Sequence, residues 1–168
     1  MLETGLIEYD EGKLFSFSRT VHGSQFESFS EDNGQTWTTP KPSSKFFSAL
    51  APMHMRHLDE NRVVTVYNPI AYYPGMAQPG GEQSKRTPLI AVVLGGENYQ
   101  LTRDFMDKKQ IKAFALEDDE NNAFCYATTL PGKDYFLCAY YHSNNTTSFL
   151  SSCKITKVSF ADIEKIEM

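Results

Sequence analysis

Eight residues, Ser30-Glu31-Asp32-Asn33-Gly34-Gln35-Thr36-Trp37, constrain the fold of this chain more than any other stretch. They read Ser-x-Asp-x-Gly-x-x-Trp. Asp32 and Asn33 favour a turn, because short polar side chains bond the nearby backbone. Gly34 supplies a positive φ without steric cost. Trp37 is expected to begin the next strand and to lay its ring over the hairpin. Asn-Gly between strands is a hairpin signal by itself. The surrounding Ser, Asp and Trp make this a hairpin fastened by its own side chains.

The rest of the chain carries the period of strands. Lys13 to Arg19 alternates, with Phe15, Phe17 and Arg19 on one face and Leu14, Ser16 and Ser18 on the other. Arg62 to Tyr67 is β-branched and bounded by Asn61 and Asn68-Pro69. Leu89 to Leu94, Tyr135 to Tyr141 and Ser148 to Val158 are further strand candidates. Only Phe160 to Ile166 has a short helical pattern. The chain is expected to be all-β.

With 168 residues, 40% hydrophobic, there is apolar material for one ordinary domain with a real core. A formal net charge of −5, with no basic run, argues against nucleic-acid binding, which needs a concentrated basic surface. No apolar run is long enough to span a membrane, and the N-terminal residues lack the pattern of a secretory leader. Cys125, Cys138 and Cys153 are too few and too irregular for a disulfide framework or a zinc site, and are expected to be small buried thiols. No cofactor is implied. The acidic turn Glu117 to Asn122 matches no calcium loop and is expected to be solvated. His54, His57 and His142 form no convincing metal set.

The turns repeat. Asp10-Glu11-Gly12-Lys13-Leu14 resembles Asp59-Glu60-Asn61-Arg62-Val63, and Pro131-Gly132-Lys133 precedes a third comparable strand. Gly96-Glu97-Asn98-Tyr99 is a faded copy of Gly34 to Trp37, with Val92 and Leu94 where Ser and Asp stood. Repeats of about 40–50 residues built from several strands point to propeller blades. Blade-like units fall roughly at 1–50, 51–110 and 111–160, with a short helix at 160–166. The Gly- and Pro-rich stretch Tyr72 to Arg86 is a long insertion, and such loops are functional or disordered.

The Ser30 to Trp37 pattern resembles the Asp-box, the BNR-repeat hairpin of sialidase (neuraminidase) β-propellers, and the resemblance runs along nearly the whole chain. It includes Glu3, the acidic-Gly turn at Asp10 to Gly12, Arg19-Thr20 at the end of a strand, and the box. It continues through Pro52, Asn68-Pro69, Arg86-Thr87-Pro88-Leu89, Cys125-Tyr126-Ala127-Thr128 and the strand to Tyr141. The order and spacing are those of the second half of an exo-α-sialidase domain. The resemblance implies a partial sialidase-like β-propeller of about three blades, each a four-stranded antiparallel sheet. A propeller ring needs roughly four to eight blades. Missing N-terminal blades, or a homodimer, would have to complete it.

The resemblance also implies a retaining glycoside hydrolase acting on a terminal sialic acid or related sugar. Arg19 and Arg86 stand where two arginines of the family hold the substrate carboxylate, for which guanidinium groups are suited by paired charge-assisted bonds. Tyr126 stands at the nucleophile, an exception to the two-carboxylate pattern of glycosidases, and Glu3 at the carboxylate that draws off its proton. Ser30, Asp32, Gly34 and Trp37 are structural, and Arg56, Arg62 and Arg103 are expected to be surface charges. No segment corresponds to the family's first arginine or its acid/base aspartate. The other reading of the same residues is a non-catalytic Asp-box module that binds glycan or protein.

Overall fold

The computed structural model describes residues 1–69, 86–95, 111–144 and 152–166. Among the described residues, eleven strands and one short helix follow in chain order, in three antiparallel sheets. The first sheet is β1 (Thr4–Asp10), β2 (Lys13–Ser18), β3 (Ser24–Ser30) and β4 (Lys41–Phe47), each strand beside its predecessor. The second is β5 (His54–Asp59), β6 (Arg62–Tyr67), β7 (Leu89–Gly95) and β8 (Ile111–Glu117). The third is β9 (Asn122–Pro131), β10 (Tyr135–Asn144) and β11 (Ser152–Ser159). Helix α1 (Phe160–Glu164) follows directly.

The all-β expectation holds. The third sheet has three strands among the described residues rather than four, and β8, inside the stretch assigned from the sequence to the third unit, pairs with β7 of the second sheet. The faded copy at Gly96 to Tyr99, Arg103 and most of the Tyr72 to Arg86 insertion lie outside the described residues.

Two cores hold the sheets together. Phe15, Phe17, Phe29 and Phe46 of the first sheet meet Met53, Met55, Val63, Val92 and Leu94. Val64, Val66, Leu89, Ala91 and Val93 meet Phe124, Phe136, Cys138 and Tyr140 of the third sheet, with Phe160 and Ile163 of α1. The middle sheet is therefore apolar on both faces. That explains why Val63, Val64, Thr65 and Val66 are all buried in succession while Lys13 to Arg19 alternates: a strand covered on both sides has no solvated face. Burying a Phe or Val side chain contributes about 1.5–3 kcal/mol, so these two cores dominate the stability of the fold.

The connections are built from local polar chemistry. Asp59 Oδ1 accepts the Asn61 N–H at 2.8 Å, and Asp119 Oδ1 accepts the Asn121 N–H at the same distance. The acidic stretch Glu117 to Asn122 is thus a second Asp-x-Asn turn, linking β8 to β9. Gly12 takes φ +70° in the β1–β2 turn, and an added Cβ would lie 2.8 Å from Asn33 Oδ1. This brings the first hairpin turn against the Ser30 to Trp37 segment, where the Asn33 N–H donates to the Gly12 carbonyl at 2.9 Å.

Candidate functional site

At the Ser30 to Trp37 hairpin, the geometry follows the residue types. Ser30 Oγ donates to Asp32 Oδ1 at 2.9 Å and accepts the Gly34 N–H at 2.8 Å. Asp32 also accepts the Thr36 N–H at 2.8 Å and the Thr36 hydroxyl at 2.6 Å. These bonds, the Thr36 hydroxyl first, lower the Asp32 carboxyl below its ordinary value. Gly34 has φ +82°, as the turn requires. Trp37 departs from expectation. It lies in the loop before β4 rather than in a strand, and its ring is fixed by Nε1 donating to the Gly34 carbonyl at 3.1 Å.

The four residues singled out for chemistry meet at one place. Glu3 precedes β1, Arg19 follows β2, Arg86 precedes β7, and Tyr126 lies within β9. The backbones of Glu3 and Arg19 continue the β1–β2 pairing, with the Arg19 N–H on the Glu3 carbonyl at 3.0 Å and the Leu2 N–H on the Arg19 carbonyl at 2.9 Å. Glu3 is thereby held despite its place beside the N-terminus. Arg19 Nη1 reaches Glu3 Oε1 and Oε2 at 2.9 and 3.1 Å and the Tyr126 hydroxyl at 3.1 Å. The Tyr126 hydroxyl donates to Glu3 Oε1 at 3.3 Å. The Arg86 guanidinium lies 5.5 Å from the centre of the Tyr126 ring, within the range of a cation–π contact.

Tyr126 is aimed by its backbone. The β9–β10 pairing sets Thr128 opposite Ala139 and Cys125 opposite Tyr141, so Tyr126 and Ala127 together face Tyr140. This is a β-bulge, a device that re-aims a side chain. Tyr126 takes φ +55°, left-handed backbone that costs a non-glycine residue about 1–3 kcal/mol. Its ring also meets the Tyr141 ring edge-on, at 6.1 Å.

The electrostatics are asymmetric. The Arg19 side chain is 10% exposed and that of Glu3 47%. Partial burial, the largest single influence on Glu3, raises its pKa, but its own backbone N–H, the Arg19 charge and bonds from Arg19 and Tyr126 outweigh that and leave it lowered. The carboxylate is thus ionised and able to accept a proton. Arg19 Nε is buried without a partner among the described residues. Arg86 donates to Cys125 Sγ at 3.0 Å and to the Leu50 carbonyl at 3.3 Å, so its charge meets no carboxylate among the described residues.

Sequence reasoning missed the supports of these side chains. Cys125 is buried beside Ala49 and Ala51, and its thiol is pushed up by desolvation despite the opposing Arg86 and Arg19 charges. Its place next to Tyr126 was the available clue. Cys138 is buried as expected, its thiol pushed up to about 12 by desolvation, whereas Cys153 is exposed on β11, contrary to the expectation for all three. β11 is a terminal strand of the third sheet, and its first four residues, Ser152 to Ile155, are all exposed. Arg62 pairs with Asp59 at 3.0 Å, and Arg56 donates to the Thr129 carbonyl at 2.9 Å, tying β5 to β9. Among the described residues no His, Cys, Asp and Glu cluster could hold a metal, and no helix is long and apolar enough to cross a membrane.

No protein-family model matches the chain, and no curated protein matches it either.

Proposed function

We propose that this chain carries part of a sialidase-type active site on a partial Asp-box propeller, and that it acts on a terminal sialic acid or a related acidic sugar. The observation that supports the reading is the convergence of Glu3, Arg19 and Tyr126 within hydrogen-bond distance, with Arg86 over the tyrosine ring. Three of these side chains come from different sheets or their flanks, and no local turn would bring them together.

The chemistry follows from the contacts. The Tyr126 hydroxyl loses its proton to the Glu3 carboxylate as its oxygen attacks the anomeric carbon. The bond to the aglycone breaks in the same step, and the sugar passes to the tyrosine oxygen. Arg19 stabilises the developing phenolate and shares the carboxylate of the sugar with Arg86, which has no carboxylate partner among the described residues. A phenol suits this role because the anionic substrate repels a carboxylate nucleophile. The leaving oxygen needs a proton from an acid, a contribution of about 10²–10⁴-fold in rate, and the resemblance matches no segment of this chain to that aspartate. Under this reading further blades supply that acid and the third arginine, whereas a ring closed by a second copy would duplicate the tyrosine and arginines without the acid and favour binding over turnover.

The test uses an aryl sialoside, whose leaving group needs little protonation. Slow release by the chain, lost in Tyr126→Phe and reduced in Glu3→Gln, is the expected result. Release unaffected by Tyr126→Phe overturns the assignment. Sialoside binding without release in either protein returns the non-catalytic module.

A further inference from the structure

We propose that Asn68 is the positioning residue of this site, its carboxamide locking the segment that carries Arg86 to the bulge that carries Tyr126. Its kinetic consequence rests on the reading above, whereas the placement it describes does not. Asn68 follows β6 and is 1% exposed. Its Nδ2 donates to the Pro88 carbonyl at 2.9 Å and to the Phe124 carbonyl at 3.0 Å. Pro88 lies two residues after Arg86, and Phe124 two residues before Tyr126. The same two segments share a backbone bond, from the Phe124 N–H to the Arg86 carbonyl at 2.8 Å. The Asn68 carbonyl accepts the Ala49 N–H at 3.1 Å, next to the Leu50 carbonyl that receives Arg86. The three segments around Arg86 and Tyr126 therefore meet on one residue, two on its carboxamide and one on its main-chain carbonyl.

The residue type is dictated by those partners. A primary amide offers two N–H donors in one plane, enough for two carbonyls at once. Serine offers one donor, and aspartate would set a charged acceptor against two acceptors. Asn68 also keeps Oδ1 buried with no partner among the described residues. An acceptor left unused in the interior is a cost that selection for stability alone would avoid. Placement of the neighbouring segments accounts for it, since Tyr126 sits in strained backbone that its surroundings must over-determine.

The test labels the full chain with ¹³Cζ-tyrosine and identifies the Tyr126 signal by its loss in Tyr126→Phe. Asn68→Asp keeps the shape and removes the donors. Asn68→Ser keeps one donor and carries the test if the aspartate variant does not melt cooperatively. The expected result is a displaced Tyr126 signal while the Tyr9 signal, in the first core, stays in place. On the aryl sialoside, kcat should fall by about 10²-fold, the effect of a small misplacement of a reacting group, with KM nearly unchanged. An unmoved Tyr126 signal in a folded variant overturns the proposal. So does failure of both variants to fold, which would make Asn68 structural. If Tyr126→Phe retains full turnover, the nucleophile reading fails, and the tyrosine spectra still decide the positioning role.

Discussion

The Tyr126 hydroxyl donates to Glu3 Oε1 at 3.3 Å across 123 residues of chain, and Arg19 Nη1 contacts both at about 3 Å. Under the proposed function, a phenol held between a carboxylate and a guanidinium has its proton acceptor and its counter-ion in place before any substrate arrives. Such preorganisation is where enzymes gain most of their electrostatic advantage. The same triangle ties the N-terminal strand to the third sheet, so its disruption should be visible in both stability and chemistry.

Glu3 gives the pH dependence. Its pKa in the folded chain lies below the ordinary 4.5, so the stabilisation it supplies is present above the unfolded value and is lost as pH falls through the folded one. Melting of the chain and of Glu3→Gln between pH 7 and pH 3 should show a gap that closes on acidification. The gap should not exceed about 1 kcal/mol, because the carboxylate is half exposed and screened by water. A gap that widens at low pH would contradict the assignment.

Arg19 should behave differently. Its Nη1 bonds are favourable, but its buried Nε has no partner among the described residues, a cost of about 1–3 kcal/mol that offsets them. Arg19→Met, which leaves behind a carboxylate already in contact with water, is expected to change stability by less than about 1 kcal/mol. Binding of free sialate should weaken by about tenfold or more, the worth of one charge-assisted contact. Calorimetry and thermal melting on one preparation separate the two quantities.

The thiols offer a test of the packing alone. Cys125 and Cys138 are buried, each with its thiol pushed up by desolvation, and Cys153 is exposed. Reaction depends on thiolate and access. A thiol reagent should therefore modify Cys153 quickly in the native chain and the other two only on unfolding. Peptide mapping after a brief exposure checks this. Early labelling of Cys138 would show that the core between the second and third sheets is open.

How much of this was legible in the sequence depends on distance. The alternation of Phe15 and Phe17 and the Asp-Asn-Gly turn are local, and local rules place them correctly. Trp37 was misplaced because a strand residue and a loop residue that folds back on Gly34 look alike in sequence; the difference is one side-chain bond. The pairing of 111–117 with β7 of the second sheet is hidden for a related reason. Turn chemistry at Asp119 marks the end of a strand without saying which sheet owns it. Tyr126, Glu3, Arg19 and Arg86 were named by resemblance, and nothing in their spacing shows that they meet. What holds them, the Asn68 carboxamide and the β9 bulge, leaves no period in the sequence, because each works through carbonyls and register rather than through side-chain type.

The hairpin at Ser30 to Trp37 carries a prediction that separates turn geometry from side-chain bonding. Gly34 sits at φ +82°, and a Cβ added there would lie 3.3 Å from Leu14 Cδ1, tight but adjustable. The strain of left-handed backbone, about 1–2 kcal/mol, should therefore account for the whole loss in Gly34→Ala. Asp32→Asn leaves φ unchanged and retains an acceptor oxygen, but removes the charge that strengthens the bonds from Ser30 and Thr36. Its effect should grow with pH, since the lowered carboxyl contributes only where it is ionised. Denaturant melts of the two variants at pH 3 and pH 7 distinguish these mechanisms: the Gly34→Ala loss should be the same at both, and the Asp32→Asn loss should appear at pH 7 and fade at pH 3. A pH-independent loss in Asp32→Asn would mean that the carboxylate acts only as a neutral acceptor, and that the turn is held by Gly34 and the Ser30 hydroxyl.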